Sequence, residues 1–335
     1  MKILYAVQGT GNGHLSRAID IIPCLQKHGE VDILVSGIQG DIKLPFPVKY
    51  ELKGLSFIFG KKGGVDLWKT FAKTDTRKLF KSIKQLPVED YDLVINDFEP
   101  VSAWACSLKN KPCIALSHQA AVLDTRYPLP KSSDKTGRFI LKHYAPADVK
   151  YGFHFNGDNE NIFTPVIRQQ VRNHTVTNGG HYTVYLPSYD DKTLIKRLSE
   201  FKDVKWDIFS KHNKKEIVQK NIIVQPINNQ MFTASMAASA GVLCGAGFET
   251  PAEALYLGKK LLVIPMKNQY EQQLNAAALA QMGVPVIKSL KPKYDTAIKD
   301  WLENGLPIPV DYKDMTQEII DGIVKKHLPF PENEM

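Results

Sequence analysis

The sequence predicts an α/β protein of two doubly wound, Rossmann-like units facing across a cleft, and three observations carry that prediction. Apolar runs alternate with helical patterns in two series, one from Lys2 to Leu116 and one from His181 to Ile264. Between them, from Tyr127 to Asn178, the pattern loosens around prolines, glycines and the polar cluster at 157–161. The 335 residues suffice for about two domains with full cores. The division this implies is an N-terminal unit over 1–155, a linker over 156–178, a second unit over 179–312, and a helix and tail over 313–335 placed to pack back on the first unit.

The elements follow in order. Residues 2–7 are a strand leading into Gly9-Thr10-Gly11-Asn12-Gly13-His14, and Leu15, Ala18, Ile19, Ile22 and Leu25 then share one helical face that stops at Gly29. Val31–Val35, Tyr91–Asn96 and Pro112–Leu116 read as strands, with a helix through Trp104 and Cys106. Over Val65–Leu86, Trp68, Phe71, Ala72, Leu79, Ile83 and Leu86 recur at helical spacing, with lysines and Arg77 on the other faces. In the second series, strands are expected at His181–Leu186, Val204–Phe209, Asn221–Gln225, Val242–Cys244 and Lys260–Ile264. Helices are expected at Asp190–Phe201, Asn229–Ala238, Thr250–Leu257, Glu271–Gln281 and Met315–His327.

Composition excludes several classes. Hydrophobic residues make up 43% and charged residues 23%, which fits a globular chain and not a disordered one. The first apolar run is too short for a signal-peptide core, and the longest uncharged stretch, Asn221–Phe248, is interrupted by Pro226, Asn228, Asn229 and Gln230, so no membrane span is expected. Cys24, Cys106, Cys113 and Cys244 form no C-x-x-C pair and lie in apolar stretches, as reduced thiols of a cytoplasmic protein do. The net charge of +8 is concentrated: eleven Lys/Arg face four Asp/Glu between Asp41 and Leu86. Such a segment suits an anionic partner, and a solvated helix face explains it equally well. No nucleic-acid recognition module accompanies it.

Two segments carry chemistry. The first is the glycine turn, which places His14 at a helix start on the carboxyl edge of the sheet, where open α/β folds bind ligands. Asp97 ends a neighbouring strand on that edge. There it can orient the His14 imidazole as a general base, or cap the helix that begins near Pro100, and both roles fit. His118 and Gln119 end another strand on the same edge, where ligand contact and a satisfied core histidine are equal readings. The turn lacks the third fingerprint glycine of dinucleotide sites, and no acid closes the second strand.

The second segment runs from Leu243 to Pro265. A short strand enters Gly245-Ala246-Gly247-Phe248-Glu249, and a helix follows with Thr250-Pro251 in its first turn and Thr250 as the expected cap. The free N–H groups and helix dipole there suit a diphosphate. Glu253 lies one turn in, placed for vicinal sugar hydroxyls, and Glu271 and Gln272 open a further helix aimed at the same crevice.

These residues resemble the GT-B glycosyltransferases, in particular the UDP-glycosyltransferases and the peptidoglycan N-acetylglucosaminyltransferase family, across nearly the whole chain. Gly245 to Thr250 is similar to their His/Gly-Gly-x-x-Ser/Thr signature, with Gly245 where many members carry a diphosphate-facing histidine. The resemblance implies that Gly245, Gly247, Phe248, Glu249, Thr250 and Ser188 contact the diphosphate, Glu253 the ribose, Glu271 and Gln272 the donor sugar, and Ile227, with Met231 nearby, the base. It implies a His14–Asp97 catalytic pair and an acceptor side at Gly11, Asn12, Gly13, His118 and Gln119. The implied activity is inverting transfer from a nucleotide sugar, UDP-linked, to an acceptor hydroxyl without metal or other cofactor, in cell-envelope glycan or glycolipid synthesis. Residues 57–86 are a candidate peripheral membrane contact for an anionic or lipid-linked acceptor. The Asp90-Tyr91-Asp92 triplet precedes a strand and reads as a chance match to a metal motif. Three rivals remain: a sugar-nucleotide 2-epimerase of the same architecture, a dinucleotide-dependent dehydrogenase, and a sugar-nucleotide sensor that does not turn over.

Overall fold

The run Lys2–Gln8 forms β1, buried on both faces from Ile3 onward. Ile3, Tyr5 and Val7 point into one apolar cluster while Leu4 and Ala6 point into another, so the strand reads as continuously apolar. The computed structural model describes residues 1–37, 42–54, 76–124, 126–130 and 134–328. β1 belongs to a seven-stranded sheet with β2 (Glu30–Ser36), β3 (Tyr50–Leu52), β4 (Leu93–Asp97), β5 (Ile114–Ser117), β6 (Val149–Phe153) and β7 (Ile162–Phe163). The spatial order is β3-β2-β1-β4-β5-β6-β7 and every pairing is parallel. Its helices are α1 (Asn12–Gln26), α2 (Thr76–Gln85), α3 (Pro100–Lys109), α4 (His118–Val122) and α5 (Lys135–His143).

The second sheet has the order β10-β11-β9-β8-β12-β13. Its strands are β8 (His181–Tyr185), β9 (Lys205–Ser210), β10 (Ile217–Gln219), β11 (Ile222–Pro226), β12 (Gly241–Gly245) and β13 (Lys260–Ile264). All pairings are parallel except β10 with β11. The helices are α6 (Gln169–Arg172), α7 (Asp191–Leu198), α8 (Asn229–Ala238), α9 (Glu249–Tyr256), α10 (Tyr270–Gln281), α11 (Asp295–Asn304) and α12 (Thr316–His327). Strand order reverses at β1/β4 in one sheet and at β8/β12 in the other, which puts a ligand crevice at the carboxyl ends of those pairs. One apolar cluster runs through both units and includes Phe155 and Phe248, whose rings lie 4.9 Å apart beneath the cleft.

Several expectations shift. β7 lies inside the segment read as linker, so the first sheet runs on to Phe163. The edge strands β3, β7 and β10 and the neighbouring β6 are short, of two to five residues, and carry little periodicity to read. Thr250 does not cap α9; the cap position is Phe248, which makes no side-chain hydrogen bond. The helix read over Val65–Leu86 falls outside the described residues before Thr76, together with the loop at 57–64. Its described part, α2, buries Ile83 and exposes Phe80. α12 packs on α1 of the first unit, with His28 Nε2 2.6 Å from Asp321 and the Tyr151 hydroxyl 2.9 Å from His327. Among the described residues no helix is long and apolar enough to cross a membrane.

Candidate active site

The register of β1 against β4 pairs Val7 with Asp97, so the glycine turn after β1 and the carboxylate ending β4 emerge side by side. Gly11, at φ +93°, makes the turn into α1, a conformation that favours glycine. The helix starts at Asn12, so His14 is its third residue, and its Nδ1–H donates to Asp97 Oδ1 at 2.8 Å. That bond selects the tautomer whose unprotonated Nε2 lies on the cleft side, 3.4 Å from the Gln119 side-chain amide. Asp97 is fully buried while the His14 side chain keeps 13% exposure, so the base is reachable and its partner is sealed. Of the two roles open to Asp97, helix capping goes to Glu99 instead, whose carboxylate accepts from the N–H groups of Val101 at 2.8 Å and Ser102 at 2.6 Å. Phe98 between them has φ +56°, a strained conformation costing about 1–3 kcal/mol. It turns the two acids to different duties and lays the Phe98 ring parallel to His14, 6.3 Å away.

Arg17, one turn after His14, completes the network. Its Nη2 donates to both Asp97 oxygens at 2.8 Å and its Nη1 to Glu249 across the cleft. Burial disfavours the charged His14, but the charge and hydrogen bond of Asp97 outweigh it. Arg17 opposes that gain and Glu249 adds to it, and the imidazole pKa ends above its ordinary value. Burial likewise works against the Asp97 carboxylate, yet Arg17 and His14 hold its pKa below the usual range. The result is a hydrogen-bonded His–Asp pair able to take a proton from a group at Nε2.

The opposite wall is the N-terminus of α9. Neither it nor α1 carries a side-chain cap, and residues of both helix starts line the cleft. Gly247, Phe248, Glu249 and Thr250 line the cleft here, with Ser188 after β8 and Ile227 after β11, beside Lys211 and His212. Glu271 and Gln272 line it from α10, with Gln272 Oε1 accepting from the Met266 N–H at 2.8 Å. The cleft holds about 1110 Å³, more than one small ligand requires.

The structure thus brings His14, Asp97, Ser188, Ile227, Gly247, Phe248, Glu249, Thr250, Glu271, Gln272, Gly11, Asn12, Gly13 and Gln119 to one cleft, Asp97 just beneath its surface. Four residues sit differently from expectation. Glu253 is buried and both its oxygens take Arg168, at 2.5 and 2.7 Å, so its carboxylate is spent on the protein and not offered to sugar hydroxyls. Gly245 lies behind the lining, nearest Gln272. His118 lies in the cleft floor with both nitrogens occupied, 2.8 Å from the Phe153 carbonyl and 2.7 Å from the Asn275 amide, and its ring stacks 3.8 Å from Phe248. Burial pushes its pKa down. Of its two readings, the satisfied histidine fits, and it links the two units. Met231 is half-exposed and does not line the cleft. Sequence reasoning missed Arg17 and Arg168. The spacing of Arg17 from His14, three residues along a helix, signalled a shared face; nothing local pointed to Arg168.

The family model described as Glycosyl transferase family 1 matches residues 1–307. No curated protein sequence matches the chain. Solved structures share its fold at low identity. UGT89C1 of Arabidopsis thaliana, complexed with UDP-L-rhamnose, superposes with TM-score 0.63 at 12% identity, covering 98% of this chain and 99% of that one. MurG of Acinetobacter baumannii gives 0.58 at 16% identity, covering 97% and 99%. The glycotransferase of kitacinnamycin gives 0.58 at 12%, covering 98% and 94%.

Proposed function

The chain belongs to Glycosyl transferase family 1 and is a glycosyltransferase of the GT-B type, and from that premise we propose that it moves a sugar from a UDP-linked donor to an acceptor hydroxyl with inversion. The observation that carries this reading is the His14 Nε2 facing, across one cleft, the uncapped N-terminus of α9. The acceptor hydroxyl lies at Nε2, beside Gln119 and the turn Gly11-Asn12-Gly13. His14 takes its proton, held in the right tautomer by Asp97, as the oxygen attacks the anomeric carbon from the face away from the nucleotide. The departing diphosphate is met by the N–H groups of Gly247, Phe248, Glu249 and Thr250 and by the Ser188 hydroxyl. Glu271 and Gln272 hold the donor sugar, and Ile227 packs on the base. The uridine assignment is supported by UGT89C1, which has been solved with UDP and with UDP-L-rhamnose. With charge met by backbone groups, the reaction needs no metal.

The experiment is calorimetry with UDP and other nucleotides together with turnover assays on wild type and His14→Ala. Donor binding kept and transfer lost is the expected result. His14→Ala transferring at the wild-type rate overturns the base assignment, and nucleotide binding without turnover on any acceptor favours the sensor. Epimerised donor without transfer favours the 2-epimerase.

A second reading concerns where the acceptor is met. α2 presents the half-exposed Phe80 with Lys84 5.4 Å from its ring centre, beside Arg77, Lys78 and Lys81, which suits an anionic membrane surface on the cytoplasmic side and a lipid-linked acceptor. Salt-sensitive co-sedimentation with anionic liposomes supports it; absence of such binding leaves α2 a solvated face.

A further inference from the structure

We infer that Arg17 and Glu249 form a clasp between the two units that sets how readily His14 serves as a base, Arg17 acting as a positioning residue. The inference rests on the assignment of His14 made above. Its foundation is geometric. The Arg17 side chain is 1% exposed, and its fork is divided: Nη2 and Nε hold Asp97, at 2.8 and 3.2 Å, while Nη1 alone reaches Glu249. Glu249 opens α9, so this ion pair joins the donor-side helix directly to the acid that orients the base. Gly13 leaves the passage open, because a Cβ there would overlap the Glu249 carboxylate. An acid at the mouth of an anion-binding helix repels a diphosphate unless it is paired, and Arg17 pairs it.

The consequence follows from Asp97 having two cationic partners. His14 is faced by Asp97 and the Phe98 ring from the end of β4, by Arg17 from its own helix, by Gln119 from α4 and by Glu249 from α9. The buried Tyr5 hydroxyl lies near Asp97 and Arg17. Arg17 draws on the same carboxylate that supports the imidazolium and disfavours its protonation. Glu249 offsets Arg17. With the units drawn apart, Arg17 stands uncompensated and the base weakens; with α9 docked, the base regains strength. Proton acceptance is thereby tied to the donor-bearing helix being in place.

The test is an NMR pH titration of the His14 ring in histidine-labelled protein without donor or acceptor, assigned with His14→Gln, alongside the pH profile of kcat. Glu249→Gln is expected to move the His14 midpoint, and the acidic limb of kcat, to lower pH. Glu249→Asp withdraws the carboxylate without removing it and is expected to move both less, in the same direction; it serves also if Glu249→Gln fails to fold. A His14 midpoint unmoved in a folded Glu249 variant overturns the clasp and leaves the transferase reading standing, since the titration needs no substrate. His14→Gln transferring at full rate overturns the base assignment and this inference with it, even where the midpoint shifts.

Discussion

The two edges of the cleft come from one topology and do opposite work. Each is the carboxyl end of a parallel sheet at the point where strand order reverses. At β1/β4 the edge carries ionisable side chains, His14, Asp97 and Arg17, packed into hydrogen-bond contact. At β8/β12 small or neutral side chains, Ser188, Gly247 and Thr250, stand beside the charged Glu249, Lys211 and Glu271, and the start of α9 adds backbone N–H groups that carry no side-chain cap. The difference teaches that the fold supplies position only. A proton acceptor needs a side chain whose basicity neighbours can tune, whereas a cradle for a leaving anion is served by fixed dipoles that do not titrate.

Breaking the first edge is expected to have the largest effect. His14→Ala should lower kcat by about 100- to 10,000-fold with donor affinity kept, read by steady-state kinetics and calorimetry. On the second unit the largest effect falls on stability. Arg168→Ala strands Glu253 as a buried, unpaired charge and should cost about 3–5 kcal/mol, measured by urea unfolding. Ser188→Ala removes the hydroxyl proposed to meet the diphosphate and should weaken donor binding by about 10- to 100-fold while leaving the acidic limb of the pH profile in place. The pH response sharpens the contrast further. The His14 pKa is raised, chiefly by Asp97 against the pull of burial, so the imidazole gains its proton, and activity falls, as pH drops through that raised value. Binding of UDP alone should respond less to the same acidification, because the N–H groups do not titrate.

The legible part of the site was the part written in chain punctuation. Glycines after β1, an acid ending β4, and a strand running through glycines into Thr250-Pro251 each mark a strand end locally, and strand ends of a parallel sheet share an edge. What escaped was written in contacts between distant segments. Glu253 looked free because its partner, Arg168, lies 85 residues away. Asp97 was open to two roles, and its separation from the capping Glu99 by the left-handed Phe98 shows only in the fold. Arg17 looked like one more charged helix residue, since its partners, Asp97 and Glu249, lie 80 and 232 residues away. The short strands β6 and β7 were unread for a different reason, being too brief to stand out.

The chain crosses between its two units twice, once before α6 and once on the way to α12, which returns to rest on α1. The crossings are fastened to each other, with Arg172 Nη2 donating to the Tyr312 carbonyl at 2.9 Å and Gln169 bonded to Asp314. A single thread permits swivel in every direction, but a double strap resists torsion and yields mainly to flexing. Two fastened crossings hold the halves at two points and leave fewer ways to turn one against the other than a single thread would.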